Sequence, residues 1–321
     1  MSLRALVVGL GQVGMGYDMD QASDRYVLTH CRALQQHPKF ELVGAVEEDA
    51  SRRELFQRVY DLPAYACLQE ALMSRPPDVV VVATPTPTHA AVLFAVLQNA
   101  SPKAILCEKP LSYDFQEACE MEAACRSGGV ALYVNYMRRS DSGVAEVRNR
   151  ILSGNISPPL KGVCWYTKGL FNSGSHFLNL FEYWLGDVQQ SDVLAKGRIW
   201  NGVDPEPDLR VEFERGSMFF LALCEEDYSH CSVEMLGKTG RLSYDLGGSR
   251  ILWQPALDDP VCRGYRALGS RSEEIPNDLD RIQWHVADQL AAAMEGVDAR
   301  ICNGSEAVRT LKTLDHIQKS L

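Results

Sequence analysis

Residues 4–14 read RALVVGLGQVG, a short apolar run that stops at Gly9-Leu10-Gly11-Gln12-Val13-Gly14. Such a run reads as a buried strand breaking into a tight turn. Further apolar runs recur at 40–46 (FELVGAV), 78–84 (DVVVVAT), 103–108 (KAILCE) and 130–136 (VALYVNY). The segments between them, ASRRELFQRVY, THAAVLFAVLQNA and DFQEACEMEAACRS, are helix-like. Strands that are apolar throughout and alternate with helices belong to a parallel sheet covered on both faces.

The pattern changes after about Tyr136. An amphipathic segment from Ser142 to Ser153 is followed by a strand candidate, KGVCWYTKG, and by KGLFNSGSHFLNL, where small polar residues open an apolar helix. Alternating runs then follow one another (VLAKGRIW, LRVEFERG, SMFFLALCEE, CSVEMLGK, GRLSYDLGG, SRILWQP), several joined by glycine turns that mark hairpins. Helical patterns at 280–296 and 305–320 close the chain, the second with a capped start near Ser305. The fold class is therefore α/β, with a dinucleotide-type parallel domain over 1–125. An α/β domain with an open-faced, mostly antiparallel sheet over 126–321 follows, its last helix packing back on the first domain.

A formal net charge of -10 without a basic stripe argues against a nucleic-acid surface. The longest apolar runs are too short to span a bilayer, and the first residues show no signal pattern, so no membrane contact and a cytoplasmic location are expected. Ten cysteines show no metal-ligand spacing; no metal is expected, and the thiols read as reduced core residues.

The G-x-G-x-x-G turn after the first strand lets the backbone approach a pyrophosphate, held by the amides at the start of the following helix. Gly9, Gly11, Gln12, Val13 and Gly14 are thus candidate cofactor contacts. Glu47 ends the next strand, where a ribose hydroxyl needs an acceptor. Residues 15–29 (MGYDMDQASDRYVLT) read as an insertion that lengthens the spacing between the two. With Glu48 beside Glu47, a 2'-phosphate would meet two carboxylates, which favours NAD over NADP.

Together with Ala83-Thr84-Pro85-Thr86-Pro87-Thr88-His89 and Glu108-Lys109-Pro110, this turn resembles the Gfo/Idh/MocA oxidoreductases, and RVEFERG, VEMLGKTGRLSYD and the SEAVRTLKTLDHIQKS tail extend the likeness. The resemblance implies a Rossmann domain, an NAD(P) cofactor, and a sugar, cyclitol or nucleotide-sugar substrate. It also implies a homodimer or homotetramer formed through the second domain's sheet. It places Thr84, Pro85, Thr86 and His89 along the cofactor, although relatives more often have Asn where Thr86 stands. Asn135, with Arg138, falls near the nicotinamide.

Lys109 leaves the carboxyl end of a parallel strand, and a lysine in a partly desolvated cleft can exchange a proton near neutral pH. Glu108 can anchor that turn or orient the lysine. The family commonly shows Asp, three residues, then His facing the nicotinamide; here Asn172 and His176 keep the spacing, with Asn in place of Asp. Asn orients but carries no charge. The expected protein is an NAD-dependent dehydrogenase with Lys109 as acid/base, His176 assisting and Asn172 orienting, the small residues beside them leaving room for a substrate ring. The alternative is an NAD-binding sensor of the same fold. His30, His37, His230, His285 and His316 are assigned to surfaces or ordinary hydrogen bonds.

Overall fold

The computed structural model describes residues 2–321. The chain forms two compact units, one running through Ser140 and including Asp280–Leu311, the other comprising Asp141–Leu279 and Lys312–Leu321. The helix Gly304–Lys319 thus belongs to the first unit through Leu311.

The first unit is built on strands β1 (Leu3–Val8), β2 (Phe40–Val46), β3 (Ala64–Tyr65), β4 (Val79–Val82), β5 (Ala104–Cys107) and β6 (Ala131–Val134). All pair in parallel, and a seventh strand, Cys302–Asn303, runs antiparallel to β6 at one edge. The first 125 residues do not complete this unit, because β6, formed by the apolar run at 130–136, pairs with β5 and carries the unit to Ser140. The spatial order, Cys302–Asn303, β6, β5, β4, β1, β2, β3, reverses between β1 and β4. Open α/β sheets bind ligands outside the carboxyl ends of the strands at such a reversal.

Helices α1 (His30–Gln36), α2 (Ala50–Tyr60), α3 (Leu68–Ser74), α4 (His89–Asn99) and α5 (Phe115–Ser127) fill the crossovers. Thr29, Asp49 and Asp114 cap α1, α2 and α5 by accepting the amide three residues on. The helix Gly304–Lys319 is capped by Asn303 and not by Ser305. Asn303 Oδ1 accepts from Glu306 N, and Glu306 Oε2 accepts from Asn303 N, at 3.0 Å each.

The second unit carries β7 (Leu160–Tyr166), β8 (Val188–Trp200), β9 (Asp204–Phe213), β10 (Gly216–Ala222), β11 (Ser232–Gly237), β12 (Gly240–Asp245) and β13 (Arg250–Asp258), with short strands Arg266–Leu268 and Glu273–Ile275 beside β13. Among the described residues of this unit, only β7 and β10 pair in parallel. Side chains alternate across this sheet. One face packs on helix α7 (Ser175–Leu185), where Phe177, Phe181 and Trp184 meet Tyr244, Phe213 and Phe220 edge-on. Helix α6 (Ser142–Leu152) packs on α7, and Trp184 Nε1 donates to Val144 O at 2.9 Å. On the other face Trp165 and Leu236 stay 41% and 44% exposed.

Candidate cofactor and catalytic site

In the first unit the glycine turn is set by close approach. Gly9 has φ +98, and a Cβ there would lie 2.7 Å from the main chain of Ala83, the residue that follows β4. A Cβ on Gly14 would collide with Gly9 O. Gly11 is different: nothing stands within 4 Å of where its Cβ would be, so the turn is open on that side. A π-helical turn over Gln12–Gly16 follows in place of a long helix, with Gln12 exposed and Val13 packed on the core.

The insertion then intervenes before α1 starts at His30. It is held by Asp18, fully buried, whose carboxylate accepts from Leu28 N, Thr29 N and Thr29 Oγ1 at 2.6, 3.0 and 2.8 Å. The segment is closed at its base, as carboxylates at such depth require.

Glu47 Oε2 accepts from Leu10 N at 2.8 Å, which places the carboxylate against the glycine turn. Arg52 stands 3.7 Å away, and Arg53 donates to the carbonyls of Glu47 and Glu48 at 2.8 and 2.7 Å.

After β4, Pro85 is exposed, and Thr86 opens a single 3-10 turn with Thr88, whose Oγ1 donates to Pro85 O at 2.7 Å instead of capping α4. Thr84 Oγ1 is buried and without a hydrogen-bond partner. His89 departs from the expectation of a cofactor contact. Its ring is 1% exposed, with Nε2 2.9 Å from Thr84 O and Nδ1 3.2 Å from both Pro110 O and Leu111 O. Both nitrogens face main-chain carbonyls, so the ring braces the loop after β4 against the loop after β5.

Glu108 lies at the end of β5. Oε1 takes His30 Nε2 at 2.7 Å and Asn135 Nδ2 at 2.6 Å, and Oε2 takes Lys109 N at 3.3 Å. Burial raises this carboxyl's pKa, but the hydrogen bond and charge of His30, the Asn135 amide and the Lys109 charge together hold it below the ordinary value. Asn135, 2% exposed, also donates to Gln283 Oε1 at 3.3 Å, while its own Oδ1 is buried without a partner.

The sequence reading misses His30 and Gln283. His30 stands at the first position of the helix behind the insertion, beside the carboxyl edge of the sheet, and that placement is its one available signal. Gln283 comes from the helix Ile282–Met294, 148 positions beyond Asn135, and has none.

These residues fit a dinucleotide. Gly11 leaves open space at the turn, Glu47 offers a carboxylate beside it, and Thr84 Oγ1 and Asn135 Oδ1 are buried polar atoms without partners at the ends of β4 and β6.

In the second unit, Lys168 and Gly169 are consecutive left-handed residues, φ +63 and +86, leading into a π-helical turn Leu170–Gly174 that continues as α7. The small residues serve packing here. A Cβ on Gly169 would collide with Asp204 Oδ2, and one on Gly174 would lie 2.9 Å from Leu170 Cδ1. Ser175 Oγ donates to Phe171 O at 2.6 Å. Asn172 Nδ2 donates to Lys168 O at 2.9 Å, and its N–H goes to Asp204 Oδ2 at 2.8 Å. His176 is half-buried in the first turn of α7.

The parallel sheet with its order reversal, the glycine turn and the acid after β2 define a dinucleotide-binding protein of the Rossmann class. Comparison with known families bears this out: the profile of the oxidoreductase family with an NAD-binding Rossmann fold matches residues 3–136. Residues 3–136 thus match the model of the Gfo/Idh/MocA oxidoreductases, the family that the sequence resembles.

Among similar proteins, trans-1,2-dihydrobenzene-1,2-diol dehydrogenase of Oryctolagus cuniculus is 28% identical over 62% of this chain and 67% of its own. The scyllo-inositol 2-dehydrogenase (NAD(+)) of Bacillus subtilis is 34% identical over 39% of this chain and 40% of its own. The Sus scrofa diol dehydrogenase is matched over 57% of its length, so the chain spans between two fifths and two thirds of these relatives. The crystal structure of the WlbA dehydrogenase from Bordetella pertussis, in complex with NADH and UDP-GlcNAcA, superposes with TM-score 0.76 at 18% identity, covering 98% of this chain and 94% of that one. Aldose-aldose oxidoreductase from Caulobacter crescentus gives 0.78 at 17% identity, covering 99% and 97%. These two likenesses show the fold.

Proposed function

We propose that the protein is an NAD-dependent dehydrogenase acting on a secondary hydroxyl of a sugar, cyclitol or nucleotide sugar. The observation that carries this reading is the Glu108 cluster. A charged carboxylate, fixed from two sides by His30 and Asn135, anchors the main chain at Lys109 on the carboxyl edge of the sheet. Lys109 is the acid/base. In its neutral form it takes the hydroxyl proton as the carbon gives up hydride and becomes a carbonyl, and in the reverse reaction it returns the proton. Bound NAD supplies the hydride acceptor. Gly9, Gly11, Gln12, Val13, Gly14, Glu47, Thr84, Pro85, Thr86 and Asn135 would hold it, Glu47 accepting from a ribose hydroxyl in the manner that disfavours a 2'-phosphate. From the second unit, His176 assists at the substrate hydroxyl and Asn172 orients it.

The names of the relatives support the substrate class, since they include a scyllo-inositol dehydrogenase and a dehydrogenase crystallised with a uridine-diphosphate sugar acid. The outer sheet face of the second unit, with Trp165 and Leu236 exposed, supports self-association into a homodimer or homotetramer. Among the described residues no helix is long and apolar enough to cross a membrane and no cluster could hold a metal. Among the described residues no cysteine is in a disulfide.

The test is NADH formation from NAD with scyllo-inositol, other cyclitols and UDP-linked sugars and sugar acids. Turnover with one of them that falls by about 100-fold or more in Lys109→Ala is expected. Turnover unchanged in that variant would overturn the role of Lys109. NAD binding with no turnover on any substrate would favour a sensor.

A further inference from the structure

The second unit holds two buried carboxylates that the reaction as proposed does not use. Asp204 and Glu206 open β9 two positions apart, so they project from the same face, and they are 5% and 0% exposed. Carboxylates at this depth persist only when their oxygens are satisfied. Asp204 Oδ1 accepts from Phe171 N at 2.9 Å and Oδ2 from Asn172 N at 2.8 Å. Glu206 Oε1 accepts from Gly169 N at 3.1 Å and Oε2 from Arg198 Nε at 2.6 Å. Thus three oxygens grip main-chain donors of Gly169, Phe171 and Asn172. These are the groups that the start of a helical segment leaves without an intrahelical partner. The segment bearing Asn172 and His176 is held from a strand more than thirty positions away, with Gly169 lacking the Cβ that would strike Asp204.

We propose that Asp204, assisted by Glu206, is the positioning residue for the Asn172–His176 segment in the dehydrogenase reaction, and that its carboxylate makes asparagine the required residue at 172. The proposal rests on the reading that this segment serves the substrate. Asn172 donates from its side chain to Lys168 O while its own N–H holds Asp204. An aspartate at 172 would replace that donor with an acceptor facing a carbonyl and would set a second carboxylate against the first. Two carboxylates sharing a site cannot both ionise without cost, so the new group would hold its proton to higher pH.

The groups that bear on this titration are Asp204, Glu206 and Asp208 on β9, Arg198 on β8, Tyr166 at the end of β7, Lys168 in the turn and His176 on α7. The field at the end of β7 is negative. The Tyr166 phenol is pushed far up by burial first, and then by Glu206, Asp208, Cys164 and Asp204.

The experiment compares wild type, Asn172→Asp, the exchange Asn172→Asp with Asp204→Asn, and His176→Ala. It follows amide hydrogen exchange of the peptide spanning 168–176 against wild type at each pH, NAD affinity by fluorescence, and kcat and KM on whichever cyclitol or UDP-linked sugar turns over in the NADH assay. In Asn172→Asp at about pH 8, exchange of the Phe171 and Asn172 amides is expected to be about tenfold faster than wild type, the loss of one hydrogen bond. It should return toward wild type near about pH 5, where a protonated carboxyl can again donate to Lys168 O. kcat follows the same pH course, KM moves less, and NAD affinity stays constant.

The exchange variant should remove this pH dependence, because a single carboxylate is left, while one of the two amides exchanges faster than wild type, because the amide introduced by Asp204→Asn keeps one acceptor oxygen where the carboxylate had two. If Asn172→Asp fails to fold at the higher pH, recovery of the fold near about pH 5, where the new carboxyl is protonated, supports the proposal and no recovery overturns it. Exchange in Asn172→Asp matching wild type at about pH 8 overturns it as well. If His176→Ala leaves kcat unchanged, the substrate role of the segment fails, while the exchange rates still judge the clamp by themselves.

Discussion

The glycine turn of the first unit and the Lys168–His176 segment of the second are both irregular backbone leading into helical structure, yet they are fixed by different means. The turn is fixed by backbone sterics: Gly9 and Gly14 exist because main-chain atoms of Ala83 and of Gly9 itself stand where a Cβ would be. The segment is fixed by side chains from another strand, and the obstacle beside Gly169 is the carboxylate of Asp204. Backbone in a sheet cannot yield, whereas a carboxylate can rotate at the cost of its hydrogen bonds. The two regions should therefore fail differently when a methyl group is added.

The largest effect is expected for Gly9→Ala. The residue would carry a side chain at φ +98 with its Cβ 2.7 Å from the paired strand's end, so strain and clash combine. We expect a loss of about 3 kcal/mol or more in unfolding free energy and no measurable NAD binding, read by denaturant unfolding and by NADH fluorescence. Retention of NAD affinity within a few fold would show that the turn yields as the other segment does.

Gly169→Ala sharpens the contrast. It too imposes a side chain at a left-handed position, φ +86, but the atom in the way belongs to Asp204. Destabilisation of about 1–3 kcal/mol is expected, with turnover reduced and NAD affinity kept. Equal damage to NAD binding in this variant would erase the distinction between the two regions.

The same contrast explains which parts are legible in the sequence. The glycine turn, Glu47, the insertion and Glu108-Lys109-Pro110 are legible as residue types at set places after a strand, although distant residues complete their geometry. The run that forms β6 is legible in the same way, and places the end of the first unit past residue 125, whereas the antiparallel edge strand Cys302–Asn303 pairs with β6 from a distant part of the chain and leaves no local pattern. His30 reads as ordinary in the sequence because its partner, Glu108, lies 78 positions away. Asp204 is invisible there for the same reason, and its partners are main-chain N–H groups, which leave no trace in residue type. His89 shows the opposite failure: a motif places the residue correctly, but three carbonyl oxygens engage the ring that is expected to meet the cofactor.

His30→Gln tests whether the first unit also depends on a remote side chain. The Glu108 carboxyl is held below its ordinary value in the folded protein, so its ionised form stabilises the fold above the ordinary carboxylate range. That contribution is lost as pH falls through the lowered folded value. Without His30 the folded value rises, so the acid loss of stability begins at higher pH. At neutral pH the variant should be about 1–3 kcal/mol less stable, the range for a hydrogen bond to a charged group. Thermal unfolding between about pH 3 and pH 7 reads both effects. An unchanged acid limb would mean that Asn135 and Lys109 suffice to hold the charge.

The smallest effect separates binding from folding at the turn. In Glu47→Gln the side-chain carbonyl can still accept from Leu10 N, so the turn keeps its bond while the negative charge disappears. Stability should change little. The charge, however, is what would repel a 2'-phosphate, and Arg52, 3.7 Å from Glu47, would be released toward it. We therefore expect the ratio of NAD to NADP affinity to fall by about tenfold, equivalent to about 1.4 kcal/mol, measured by fluorescence titration with the reduced cofactors. An unaltered ratio would mean that Glu48 or the exposed Gln12 sets the preference, and that Glu47 serves the turn as a structural acceptor alone.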